Sequence, residues 1–141
     1  MQLTTHTDYA LRTLICLSLQ PDSAPMTVQE IARRYSISAN HIAKVAQTLT
    51  QLGYINSLRG RGGGLVMAQA PDTINLGTLV RETENLKLLD CFGEASQCAI
   101  EPACKLKNMF MQAQQAFLKV LDGYTLSDVI RNGDELKVLW R

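Results

Sequence analysis

Three of the chain's four cysteines, Cys91, Cys98 and Cys104, fall within one short segment, "CFGEASQCAIEPAC". The segment is punctuated by Gly93 and Pro102, and five or six residues separate successive thiols. Thiols gathered this way pair as disulfides, hold a metal, or do redox chemistry. A secreted disulfide framework usually has an even count. No leader is visible either: residues 1–10 carry no Lys or Arg, and the apolar run "LRTLICLSL" is short and contains Arg12. A cytoplasmic protein with no membrane span is therefore expected. In that setting the spacing suits an iron–sulfur cluster or zinc. Zinc sites prefer closer pairs, which tilts the reading toward iron and sulfur, and a thiol–disulfide sensor needs only two of the three cysteines. On spacing alone these alternatives stay open. Three thiolates leave a fourth ligand position, for which Asp8, His6, Asp90, Glu94 and Glu101 are candidates. Cys16, beside Leu19 on an apolar helix, reads as core.

The elements that must position this loop are legible from periodicity. "DYALRTLICLSL" has apolar residues at Leu11, Leu14, Ile15 and Leu19, the spacing of a helix, and Pro21 ends it. Asp8 sits in its first turn, where the helix dipole favours a carboxylate, and four residues before Arg12, an ion-pair spacing. "TVQEIARRY" begins with Thr27 and Glu30 at capping-box spacing and turns Ile31 inward. After the short turn "SISAN", Ser38 can cap a third helix, "ANHIAKVAQTLTQL", with Ile42, Val45, Leu49 and Leu52 inward and Gly53 as its stop. Two helices joined by a few residues, the second polar on its outer face, are a helix-turn-helix pattern. "YINSLRGRGGGLVMA" then alternates on either side of a glycine-rich tip, a β-hairpin that would serve as a wing.

Charge supports a polyanion partner at this end. Residues 1–70 carry Arg12, Arg33, Arg34, Lys44, Arg59 and Arg61 against Asp8, Asp22 and Glu30, a net +3, whereas residues 71–141 are net −2. The front of the third helix offers Ser38, Asn40, His41, Lys44, Gln47 and Thr48. Asn and Gln can read adenine, and Lys can read guanine or grip phosphate. At the wing tip Arg59 and Arg61 stand among glycines that permit close approach to a duplex. The phosphate-loop reading is weak, because no Gly-Lys-Ser/Thr follows and no helix begins there. With two histidines, His6 and His41, and no nucleophile motif, no enzyme is expected. An electron-transfer or cluster-carrier protein would have no use for the third helix's polar front.

Beyond the wing, "PACKLKNMFMQAQQAFLKVL" places Ala103, Leu106, Phe110, Ala113, Phe117 and Val120 at alternating steps of three and four, a heptad-like seam in a long helix starting at Pro102. The expected layout is a winged helix-turn-helix domain over 1–75, with the helix-turn-helix at about 27–52 and the wing at about 54–68. A short helix and cysteine loop follow over 76–104, then a dimerisation helix and a last short helix over 102–131, and a loose tail over 132–141. The fold class is mainly α with a small β-wing.

Four segments, "MQLTTHTDYALRTL", "ISANHIAKVAQTL", "LRGRGGGLVMA" and "CFGEASQCAIEPACKLKNMF", together resemble the Rrf-type winged helix-turn-helix regulators, over nearly the full length. In one branch of that family a histidine three positions after the last cysteine completes the cluster site; here that position is Lys107. The chain looks instead like the nitric-oxide-sensitive repressors of the family, although the gap between Cys91 and Cys98 is long for it. The resemblance implies a homodimer on palindromic double-stranded operator DNA. It implies an iron–sulfur cluster held by Cys91, Cys98 and Cys104, with Asp8 of the other subunit as fourth ligand, and nitric oxide as the signal. Three thiolates and one oxygen ligand favour a four-iron cluster, with a two-iron form as the alternative. A zinc- or thiol-redox-sensing regulator of the same fold is the second reading.

Overall fold

A computed structural model describes residues 1–140. Its helices are α1 (Thr5–Ser18), α2 (Val28–Tyr35), α3 (Ala39–Gln51), α4 (Leu76–Thr83), α5 (Lys105–Asp122), α6 (Leu126–Val129) and α7 (Gly133–Leu139). One antiparallel hairpin, β1 (Ile55–Leu58) and β2 (Gly64–Met67), lies between α3 and α4. The expected class, mainly helical with a small β-wing, is the one observed.

Local chemistry accounts for the ends of the first three helices. Thr4 caps α1, so this helix starts one turn earlier than its apolar pattern suggests. Thr27 and Glu30 form the full capping box of α2: Glu30 N–H donates to Thr27 Oγ1 at 3.2 Å, and Thr27 N–H donates to Glu30 Oε2 at 2.7 Å. That backbone hydrogen bond holds the Glu30 carboxyl below its ordinary range. Ser36 closes α2 in a left-handed conformation, and Ile37, packed on the core, leads to Ser38, whose hydroxyl caps α3. Gly53, at φ +81°, ends α3 as expected.

The core sits between the inner faces of these helices and the wing. Leu14 of α1, Ile31 of α2, Ile42, Val45 and Leu49 of α3, and Ile55 and Leu65 of the hairpin belong to one apolar cluster. The same cluster takes in Ile74, Leu79 of α4 and Leu126 of α6. The helices after the wing are thus packed onto the head rather than strung behind it. Ile74 and Leu76 exchange backbone hydrogen bonds with Leu126 and Tyr124, and Arg81 of α4 makes a two-pronged pair with Asp122 at the end of α5. The wing gains a third strand-like partner from the residue before the Thr27 cap of α2, since Met26 and Leu65 exchange both backbone hydrogen bonds, at 3.0 and 2.7 Å.

Two expectations are corrected. The long helix does not start at Pro102. Glu101–Ala103 form a separate 3-10 turn, Cys104 is extended (φ −76°, ψ 114°), and α5 begins at Lys105. Proline sets a helical φ for one turn, but the extended residue after it breaks the ladder, so Cys104 becomes the cap of α5 instead of an interior residue. The second correction concerns the tail expected to be loose over 132–141. Gly133–Leu139 is a helix, with Asp134 and Glu135 in its first turn, and Trp140 packs edge-on against Tyr35, ring centroids 5.6 Å apart. Arg141 lies outside the described residues.

Gly64 shows how tightly the wing is seated. Its φ is +150°, and a Cβ there would come within 2.6 Å of Met26 O. Gly64→Ala is expected to destabilise the fold by roughly 1–3 kcal/mol, from backbone strain and the displaced strand pairing. Urea denaturation of the two proteins measures it, and an unchanged midpoint would mean the wing is not held through Met26.

Candidate nucleic-acid interface and cysteine loop

Helix α3 turns its apolar residues Ile42, Val45, Ala46 and Leu49 inward and leaves Ser38, Asn40, His41, Lys44 and Gln47 exposed. Both wing-tip arginines, Arg59 and Arg61, are exposed as well. Between α2, α3 and the hairpin runs an open groove lined by Gln29, Asn40, Ala43, Ser57 and Gly60. Of the residues read from the sequence as the front of α3 and the wing tip, all but the half-buried Thr48 are exposed, and Asn40 shares one concavity with the wing. Three of the front residues are engaged. The Ser38 hydroxyl accepts from His41 N–H at 3.3 Å, the His41 ring lies 6.0 Å from that of Tyr9, and Thr48 is half-buried with its hydroxyl 3.1 Å from His6 Nε2. Sequence periodicity missed His6 and Tyr9 as neighbours of the reading helix. Their spacing of three along α1 was the available signal.

The cysteine loop leaves α4 at Glu84, and this exit is anchored. Glu84 Oε2 accepts from Thr4 N–H at 2.8 Å and from the Thr4 hydroxyl at 3.1 Å, fastening the start of α1 to the root of the loop. From there the chain runs through two 3-10 turns, Asp90–Phe92 and Glu101–Ala103, whose hydrogen bonds are all local. Among the described residues, the one hydrogen bond tying the loop to a distant segment runs from the Gln114 amide to Leu86 O.

Cys91 and Cys104 are half-buried, Cys98 is exposed, and all three are free thiols. Cys104 caps α5, where the helix dipole favours negative charge. Lys107 binds Glu101 at 2.5 Å. That bond raises the Lys107 ammonium and lowers the Glu101 carboxyl, with the charges of Cys91 and Cys104 adding slightly to the former. The structure does not bring the thiols together: among the described residues no group of three or more His, Cys, Asp or Glu side chains is close enough to hold a metal ion. The loop's backbone hydrogen bonds are turn bonds, so drawing the thiols around a shared group would cost turn hydrogen bonds, not helix or sheet bonds. The donor chemistry fits a thiolate-held group: three unpaired soft ligands on one loop.

The candidates for a fourth ligand are distributed unevenly. Asp8 binds Arg12 through both oxygens, Nε to Oδ1 at 3.0 Å and Nη2 to Oδ2 at 2.8 Å, and this carboxylate raises the guanidinium's affinity for its proton. Arg12 in turn lies 5.7 Å over the Tyr35 ring. His6 faces α3, Glu101 is taken by Lys107, and Asp90 lies 3.6 Å from Lys87. Glu94 makes no ion pair among the described residues.

Helix α5 holds an apolar surface without a cover. Leu118 is buried and Phe117 half-buried against the body, while Leu106, Met109, Phe110, Met111 and Val120 are exposed, Val120 to 63%. The seam read from the sequence is thus mostly outward-facing, widened by two methionines.

Comparison with known proteins adds an independent finding. The sequence pattern of the Rrf2 family, described as iron-dependent transcriptional regulators, matches residues 3–132. The HTH-type transcriptional regulator NsrR of Halalkalibacterium halodurans is 46% identical, over 99% of this chain and 97% of that protein. NsrR of Bacillus subtilis is 43% identical over 99% and 97%. Among solved structures, CymR, the global cysteine regulator of B. subtilis, superposes with a TM-score of 0.72 at 26% identity, covering 92% of this chain and 95% of that one. IscR of T. potens shares the fold, with a TM-score of 0.76 at 22% identity over 96% and 90%.

The Asp8–Arg12 pair is partly exposed, with side chains about 45% and 42% accessible. Such pairs contribute little to stability. Asp8→Asn is expected to lower the stability of metal-free protein by less than about 1 kcal/mol, as measured by urea denaturation. A larger loss would make Asp8 a structural residue first.

Proposed function

Because this chain belongs to the Rrf2 family of transcriptional regulators, we propose that it is a homodimeric, nitric-oxide-sensitive repressor that reads palindromic operator DNA and carries an iron–sulfur cluster on its cysteine loop. The observation that carries the reading is the joining of two parts by one helix. The loop bearing Cys91, Cys98 and Cys104 is rooted at Glu84 on the start of α1, and α1 packs directly against α3, the helix with the exposed polar front. The names of the relatives support the same function.

Cys91, Cys98 and Cys104 would hold the cluster, with Asp8 of the other subunit as fourth ligand. Bound there, the cluster would supply iron at which nitric oxide can react. A four-iron form is favoured by three thiolates and one carboxylate, with two iron atoms as the alternative. The chain's own residues supply the rest. Asp8 now satisfies Arg12 with both oxygens, so serving as a ligand means giving up at least part of that pair. Arg12 then keeps its stacking on Tyr35 at the end of α2, which places the consequence next to the helix-turn-helix. On the DNA side, Asn40, His41, Lys44 and Gln47 would face base edges or phosphates, Ser38 would hold the helix start, and Arg59 and Arg61 would reach a groove beside it.

A second copy is the occupant proposed for the exposed face of α5. Leu106, Phe110 and Val120 would meet their counterparts across a two-fold axis, which sets two reading heads against a palindrome. Phe110→Glu is expected to convert the dimer to monomer and to weaken operator binding. Sedimentation velocity reads the first effect, and an unchanged dimer places the interface elsewhere.

The function is tested on protein purified without oxygen. A visible absorption band with matching iron and sulfide is expected, and it should be absent from Cys98→Ser. Capture of labelled genomic fragments should fall when nitric oxide is added. Asp8→Ala should retain much of the absorption while operator affinity stops responding to the cluster, a coupling of roughly 5–150-fold in regulators of this kind. Colourless protein carrying zinc, or a response to oxidants alone, would retain the regulator and overturn its cofactor.

A further inference from the structure

The face of α1 toward α3 carries His6 and Tyr9, three residues apart. His6 Nε2 lies 3.1 Å from Thr48 Oγ1. The Thr48 hydroxyl also lies 3.2 Å from Lys44 O, so it bridges the His6 ring and the backbone of the reading helix, and which way the His6–Thr48 bond runs depends on the imidazole tautomer. One helical turn on, the Tyr9 ring stands 6.0 Å from His41. These two contacts bracket Lys44, and a small pocket between them is lined by Thr5, His6, Tyr9, His41, Lys44 and Val45. Helix α1 thus grips α3 in two ways: through its apolar back and along the flank of its outward face.

Asp8 is two residues beyond His6, about 200° around the helix at about 100° per residue, on the side where Arg12 and Tyr35 lie. The same turn of α1 therefore touches the proposed ligand on one side and the reading helix on the other. We propose that His6 is a positioning residue, which through Thr48 sets the orientation of the reading face of α3 on α1, so that discrimination between DNA sequences depends on a hydrogen bond that touches no DNA. The inference rests on the DNA-reading role proposed above for α3.

The test uses the full chain and two duplexes of equal length, one selected by the wild-type protein from a random pool and one scrambled. His6→Ala is expected to lower the ratio of selected to scrambled affinity about tenfold, within the usual range of coupling between sites. The salt dependence of scrambled binding should not change, because phosphate contacts remain. Thr48→Val should produce a similar loss, and the double variant should be no worse than either single one. His6→Gln, whose amide can donate to or accept from Thr48, should recover most of the ratio. An unchanged ratio in His6→Ala, or single losses that simply add, overturns the proposal. Should His6→Ala also lower the urea midpoint, His6→Gln decides: recovery of the ratio supports positioning, and no recovery overturns it. A wild-type protein that does not distinguish selected from scrambled duplex refutes the DNA-reading role itself, and is seen before any variant is made.

Discussion

The packing of α1 constrains everything around it. Ala10, Leu14, Cys16 and Leu17 are buried in the core, His6 and Tyr9 meet α3, Arg12 meets Tyr35 of α2, and Thr4 is bound by Glu84 at the end of α4. A helix engaged on this many sides cannot shift one contact without shifting others, because close-packed interiors transmit displacement rather than absorb it. Asp8 is one of its partly exposed polar positions, and its present partner, Arg12, lies on the same helix.

The reading head is stiff for local reasons. Capping hydroxyls satisfy the starts of α1, α2 and α3, and the large apolar residues of α3, Ile42, Val45 and Leu49, fall on one side, which leaves Asn40, Lys44 and Gln47 exposed on the other. The C-terminal helix contributes from a distance. Trp140 stands on Tyr35, and the Arg34 guanidinium lies 5.2 Å over the same indole while its Nη1 reaches Cys16 Sγ at 3.5 Å. Burial pushes the Cys16 thiol up, so it remains a small core side chain rather than a reactive one. The end of α2 is therefore clasped between α1 and α7.

The back half of the chain is incomplete in a consistent way. Its long helix exposes a run of leucine, methionine and phenylalanine that a lone chain leaves in water, and its three loop cysteines are free thiols that form no metal-holding group among the described residues. Both features suit an assembly in which a second chain covers the apolar face and a bound group gathers the thiols. Apolar burial would drive the first step and thiolate coordination the second.

Much of this was legible in the residues alone. The capping box at Thr27 and Glu30, the Ser38 cap, the Gly53 stop and the two arms of the wing are local features, specified within a few residues, and they appear where spacing places them. The Asp8–Arg12 pair is equally local. What spacing could not show is how the chain folds back on itself. The cap role of Cys104 depends on one extended residue after Pro102, and the helix at Gly133–Leu139 leads into Trp140, which packs on Tyr35 more than a hundred positions earlier. The contacts of His6 with Thr48 and of Thr4 with Glu84 likewise join residues 42 and 80 positions apart. Periodicity and capping act over one or two helical turns, so the sequence by itself determined the elements and the residue types they display. Only tertiary packing, which brings distant segments within hydrogen-bond reach, decided which of those residues meet.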